Sequence, residues 1–255
     1  MNENLKHRLR WARSAKDTIP LVFNSDNPIL VYQMGKVGST SIIDSLAGRW
    51  DGPVLHCHHI EFPKTRYIYN NHYKKNKPIY IISLTREPIS RNISAFFQNL
   101  TIFTQAKVDS FADSTESLIQ KFLDSYPHEM PLVWFQDHIE RNFSINVFEH
   151  PFPESGYVHI SRDNLHLLIL RAEISDKLKE EAISSFLKMP NFKLTRSNVG
   201  SSKDYAKLYK NFKDSLILPQ TYLDQMYDSL YFKHFYAGKI GVELSERWRL
   251  KTRDL

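Results

Sequence analysis

Between Gln33 and Ser41 the chain reads Gln-Met-Gly-Lys-Val-Gly-Ser-Thr-Ser, a run of small, hydroxyl-bearing and cationic residues suited to holding an anion. A multiply charged anion needs several donors converging with no side chain in the way, and Gly35 and Gly38 let backbone N–H groups come close. Ser39, Thr40 and Ser41 stand where a helix is expected to begin, so hydroxyls, free amides and the positive end of a helix dipole would face the same point. Lys36 adds a mobile full charge, with Val37 between it and the second glycine. The nucleotide-triphosphatase loop G-x-x-x-x-G-K-[ST] is not matched: the lysine precedes the second glycine, and the interval between the glycines is too short. The competing reading is a polar turn with a solvated lysine.

A second group follows at Thr85-Arg86-Glu87-Pro88-Ile89-Ser90-Arg91-Asn92-Ile93-Ser94. Pro88 suits a first helical position. Ile89, Ile93, Phe96 and Leu100 form an apolar stripe, while Ser90 and Ser94 share another face. Arg86 would project from the carboxyl end of the preceding strand, where open α/β sheets bind ligands. A third group is His56-Cys-His58-His59-Ile-Glu61. Histidine titrates in the range useful for proton transfer, and in an extended segment His56 and His58 share one face while His59 points away. Adjacent histidines without a carboxylate at a fixed ligand spacing argue weakly for metal, so no metal site is expected.

These residues need a frame. Apolar or β-branched runs predict strands near 29–34, 53–58, 78–84, 157–161 and 166–171. Helices are expected over 39–49, 88–103, 115–125, 175–188, 204–213 and 219–235, with an irregular insertion from Met130 to Pro153 that could wall a binding site. Strands alternating with helices, with few hairpin signals, predict a mostly parallel central sheet flanked by helices, an α/β three-layer architecture of the P-loop type.

The 255 residues carry no linker-like stretch and no repeat, so a basic segment over 1–26 followed by a single domain over 27–255 is the economical division. A net charge of +6 favours anionic partners. Nucleic acid is not expected, since the 13 Tyr and 16 Phe fall on core-like positions. Cys57 is the single cysteine, which excludes an intrachain disulfide and points to a reducing compartment. No apolar run approaches the roughly 20 residues that span a bilayer, and the first residues lack an apolar signal core. A cytoplasmic location is expected, with peripheral membrane contact through the basic start as a further option.

The two crossovers, one with a Gly/Lys loop and one with an Arg and a Ser eight residues on, resemble the sulfotransferase superfamily that uses 3′-phosphoadenosine 5′-phosphosulfate. The likeness runs in order from Asn27 to Trp248 and points to a branch of bacterial type associated with glycan and capsular-polysaccharide sulfation. The resemblance implies that the loop from Gln33 to Ser41 holds the 5′-phosphosulfate with Lys36 at its centre, and that Arg86 and Ser94 bind the 3′-phosphate. It implies that Asn198, Gly200 and Lys203 belong to a late loop closing over the nucleotide, although a helix-capping loop before Asp204 explains the same residues. Val-Leu-His56 is also similar to the catalytic-histidine region of uronyl 2-O-sulfotransferases, which favours His56 as general base, with His58 and Glu61 as alternatives and Asp137 or His138 beyond them. The implied activity is metal-independent sulfuryl transfer to a hydroxyl, on a carbohydrate, with the nucleotide 3′,5′-bisphosphate as product. Against it stand a P-loop kinase or nucleotide hydrolase and a non-catalytic nucleotide-binding protein of the same fold.

Overall fold

The computed structural model describes residues 26–104, 115–195 and 206–253. The basic start over 1–25 and the loop residues Asn198, Gly200, Ser201 and Lys203 lie outside the described residues.

Five strands form one sheet: β1 (Ile29–Tyr32), β2 (Val54–Cys57), β3 (Ile79–Thr85), β4 (Tyr157–Arg162) and β5 (Leu165–Arg171). Their order is β2-β1-β3-β5-β4. β1 pairs in parallel with β2 and β3, β3 pairs in parallel with β5, and β4 closes the far edge antiparallel to β5. The central strands are buried along their length, as the continuous apolar runs Ile-Leu-Val-Tyr and Leu-His-Leu-Leu-Ile-Leu demand of strands covered on both faces. Helices α1 (Thr40–Leu46), α2 (Pro63–Asn71), α3 (Pro88–Gln98), α4 (Leu100–Thr104) and α5 (Thr115–Ser125) supply the first half of the cover. The second half comes from α6 (Met130–Trp134), α7 (Arg141–Phe143), α8 (Asp176–Leu187), α9 (Ala206–Ser215), α10 (Gln220–Tyr227), α11 (Leu230–Phe235) and α12 (Lys239–Arg253). The result is an α/β fold with a mostly parallel sheet flanked by helices.

Three expectations are corrected. The stretch from Met130 is helical over its first half, because α6 runs through a π-helical turn over Phe135–Glu140 into α7, while from Ser144 to Pro153 it is irregular apart from one 3-10 turn over Val147–Glu149. Pro131 falls in the first turn of α6, where its missing N–H removes nothing, and Trp134, Phe135 and Ile139 turn inward. The expected helix over 219–235 is two, since the Ser229 hydroxyl accepts from Phe232 N at 3.2 Å and caps a new start. The helix over 88–103 breaks at Asn99 for want of a continuous amide ladder.

β1 connects to β2 on one side and the chain then crosses to β3 on the other. The carboxyl ends of β1 and β3 therefore flank a crevice where the winding reverses, the place at which open α/β sheets hold ligands.

Candidate functional site

The loop leaving β1 has an unusual backbone. Gly35, Lys36 and Gly38 all have positive φ, at 81°, 64° and 80°. Glycine adopts this region freely, but a lysine there is strained by roughly 1 kcal/mol or more. What holds it is the group after β3. Arg86 Nη1 donates to the Lys36 carbonyl at 2.7 Å, Arg91 Nη2 to the Met34 carbonyl at 2.7 Å, and Arg91 Nε to the Gly35 carbonyl at 3.2 Å. Three successive carbonyls are thus drawn toward two guanidiniums. Because the peptide unit is planar and trans, the N–H groups of Lys36 and Val37 are turned the opposite way.

Arg91 is 2% exposed and completes its fork with Tyr126 Oη at 2.7 Å and Asn92 Oδ1 at 3.1 Å. Its hydrogen-bond partners are neutral oxygens, so its charge is stabilised without being cancelled. Burial, with the like charge of Arg86 as a smaller contribution, lowers its pKa. Sequence reasoning passed over Arg91, whose one signal is its place on the first turns of the helix facing the loop.

The end of β3 is itself clasped. Tyr231 Oη donates to the Arg86 carbonyl at 2.9 Å and accepts from the Arg86 N–H at 3.0 Å. Glu87 caps α3 by accepting from the Ile89 and Ser90 amides at 2.9 and 2.7 Å, and receives the Tyr227 hydroxyl at 3.2 Å. The Glu87 N–H goes to Glu173 Oε1 at 2.8 Å, and Tyr236 donates to Glu173 Oε2 at 3.1 Å. Burial raises the Glu87 pKa, against the lowering effect of its N-cap bonds. In the sequence Tyr227 and Tyr231 read as members of an apolar helix face, with nothing to mark them as braces of this site.

At the end of β2, His56 and His58 meet edge to face with ring centroids 4.7 Å apart. Both reach Gln33, which is 1% exposed. His56 Nε2 lies 2.8 Å from Gln33 Nε2, and His58 Nδ1 lies 2.7 Å from the Gln33 carbonyl. Gln33 Nε2 also donates to Ser39 Oγ at 3.0 Å, and Gln33 Oε1 accepts the Gly35 N–H. Desolvation of the ring first, then the neighbouring His58, lowers the His56 pKa to about 4, so that this histidine is neutral at physiological pH although the residue as a whole is exposed to solvent. His59 turns the other way, against Phe62 and His138 at 5.6 and 5.2 Å between centroids. His138 stacks on Trp134 at 5.0 Å and bonds Tyr32 Oη through Nδ1 at 2.8 Å.

Of the residues singled out by sequence, Gly35, Lys36, Val37, Gly38, Ser39, Arg86, His56 and His58 gather at one end of the sheet. Thr40 and Ser41 open α1, which has seven residues, and Ser39 spends its oxygen on Gln33 instead of capping that helix. Ser94 is half-buried two turns along α3, and Glu61 is exposed beyond the histidines. Among the described residues no three metal-capable side chains cluster and no helix is long and apolar enough to cross a membrane.

Residues 107–237, just over half of the chain, match the model of the NKWYS family, described as "Putative capsular polysaccharide synthesis protein". The match begins after the Arg86 and Arg91 motif and runs through α11. No curated protein and no solved structure gave a match.

Proposed function

The chain belongs to this capsular polysaccharide synthesis family, and from that premise we propose that it is a sulfotransferase moving a sulfuryl group from 3′-phosphoadenosine 5′-phosphosulfate to a carbohydrate hydroxyl, on a P-loop-type three-layer fold. The observation that carries the reading is the bond from Arg86 to the Lys36 carbonyl. It joins the two motifs at the switch point of the sheet, within reach of one nucleotide carrying phosphoryl groups at both ends.

The residues present fit such a donor. Arg91 carries a buried charge bonded to neutral oxygens, Arg86 is only half-buried beside it, and the Lys36 and Val37 amides face away from both. The donor, when bound, supplies an activated sulfuryl group on a phosphate leaving group. Lys36 and the loop amides would stabilise negative charge growing on the leaving oxygen, Arg86 and Ser94 would take the 3′-phosphate, and a base in the His56, His58 and Glu61 set would take the acceptor proton. Asn198, Gly200 and Lys203 would close over the nucleotide. Positioning and electrostatics suffice for such a transfer, by analogy with phosphoryl transfer, and activity is expected without added Mg²⁺.

Titration calorimetry with adenosine 3′,5′-bisphosphate against adenosine 5′-monophosphate tests the assignment. The native protein is expected to prefer the bisphosphate, and Arg86→Ala to lose that preference. A native protein that binds neither would refute the reading, and one that binds ATP with Mg²⁺ instead would favour a kinase or hydrolase.

A further inference from the structure

The two histidines at the end of β2 are not equivalent, and Gln33 makes the difference. The Gly35 amide can only donate, so the oxygen of the Gln33 carboxamide must face it and the NH₂ must face Ser39 and His56. That NH₂ has two hydrogens and two acceptors, Ser39 Oγ and His56 Nε2. His56 Nε2 therefore presents its lone pair to Gln33, and the ring hydrogen sits on Nδ1. Protonating Nε2 would set two donors against each other at 2.8 Å. His58 is held the other way round: its Nδ1 faces a carbonyl, which can only accept, so Nδ1 carries the hydrogen and the Nε2 lone pair is left for another group. His58 also borders the loop, since a Cβ added to Gly35 would lie 3.6 Å from its Cε1, the carbon next to Nε2.

We infer that His58, through Nε2, is the proton acceptor of the site, and that Gln33 is a positioning residue which occupies the lone pair of His56 and so removes it from that role. The inference rests on the transferase reading for the identity of the proton. As the acceptor oxygen bonds to sulfur, its proton passes to His58 Nε2, and the sulfur–oxygen bond to the nucleotide phosphate breaks with its electron pair remaining on the phosphate.

Gln33 has a second consequence. One carboxamide ties together the Gly35 amide, the Ser39 hydroxyl and the His56 ring, so a loop that shifts on anion binding changes the hydrogen bonding of the histidine.

Diethyl pyrocarbonate, which acylates imidazole through an available lone pair, distinguishes the rings without reference to activity. Peptide mass spectrometry on the intact chain is expected to find His58 modified at least about tenfold faster than His56. Equal rates, or His56 first, would overturn the assignment. Ring-nitrogen NMR gives the second measurement, with His56 carrying hydrogen on Nδ1 and staying neutral below pH 6. Gln33→Glu keeps an oxygen for Gly35 but places another against His56 Nε2, and should draw a proton there and raise the His56 pKa above its ordinary value; an unchanged His56 titration would remove Gln33 from the proposal. With water as acceptor, release of the bisphosphate from the donor should fall about a hundredfold in His58→Ala, and wild-type-like release would also overturn it. If the native protein binds no bisphosphate, the transferase reading falls, and the labelling order still decides between the two histidines.

Discussion

At the scale of single residues, the site divides into groups that face a ligand and groups that hold the backbone in place. Lys36 belongs to the first by its charge and to the second by its strained φ of 64°. Replacing it with alanine keeps the strain and removes the ammonium. Turnover of the nucleotide donor is expected to fall about a hundredfold or more while bisphosphate affinity survives, as steady-state rates and calorimetry on Lys36→Ala would show. Arg91 is a backbone holder whose loss frees two loop carbonyls and takes a donor from Tyr126 Oη and Asn92 Oδ1. Arg91→Met should destabilise by about 3 kcal/mol, the scale of lost charge-assisted hydrogen bonds. Denaturant melts would measure it, and a change below about 1 kcal/mol would show that the loop holds without it. Neither Arg91 nor Gln33 stood out in the sequence as a holder, because a polar residue looks solvent-facing until the chain brings in its distant partners, His56 for Gln33 and Met34 for Arg91, 23 and 57 residues away.

At the scale of elements, the late helices brace the early motif. α10 and α11 send Tyr227 and Tyr231 onto Glu87 and Arg86, 140 and 145 residues earlier. Tyr231→Phe leaves an N–H and a carbonyl at the tip of β3 without their partner. The expected loss is about 2 kcal/mol, with weakened bisphosphate binding because the Arg86 backbone is released. A shifted urea midpoint at unchanged slope would check it; native affinity in the variant would show that the clasp is structural only. The strands themselves were legible, since Ile29 to Tyr32 and Leu165 to Arg171 are apolar runs bounded by polar turns, and their ends follow the expected ones within a few residues. The helix starting at Met130 was not, because Pro131 and the aromatic run Trp134-Phe135 read as a loop when their burial is unknown. Nor was the break at Ser229, where apolar periodicity continues across a capping serine.

At the scale of the whole molecule, acid is expected to destabilise the fold through its histidines. Burial is the first cause lowering the pKa of His56, His72, His128, His138, His159 and His234. In His128 the Nε2–H donates to the Phe122 carbonyl at 2.8 Å and Nδ1 accepts the Tyr222 hydroxyl at 2.9 Å, so the neutral ring is fully bonded where burial disfavours the charged one. A depressed folded pKa means that the unfolded chain binds more protons. Stability is then complete above the unfolded value near 6.5, declines as pH falls, and for His56 is exhausted at about 4. Glu87 acts with the opposite sign, since its raised pKa favours the fold most at acid pH. With six histidines against one carboxyl, Tm should drop by several degrees between about pH 7.5 and about pH 5. Thermal melts followed by circular dichroism at the two pH values would check it, and a level Tm would mean these rings are not held neutral.

The bond from Arg86 to Lys36 spans 50 residues, and the clasp from Tyr231 spans 145. A ribosome making this chain therefore releases the glycine loop before the residues that clasp its carbonyls and the tip of β3. The brace at the tip of β3 is supplied by the final fifth of the polypeptide, so a product truncated ahead of Tyr231 would still carry every motif residue described in the pocket and lack the contact that holds the Arg86 backbone.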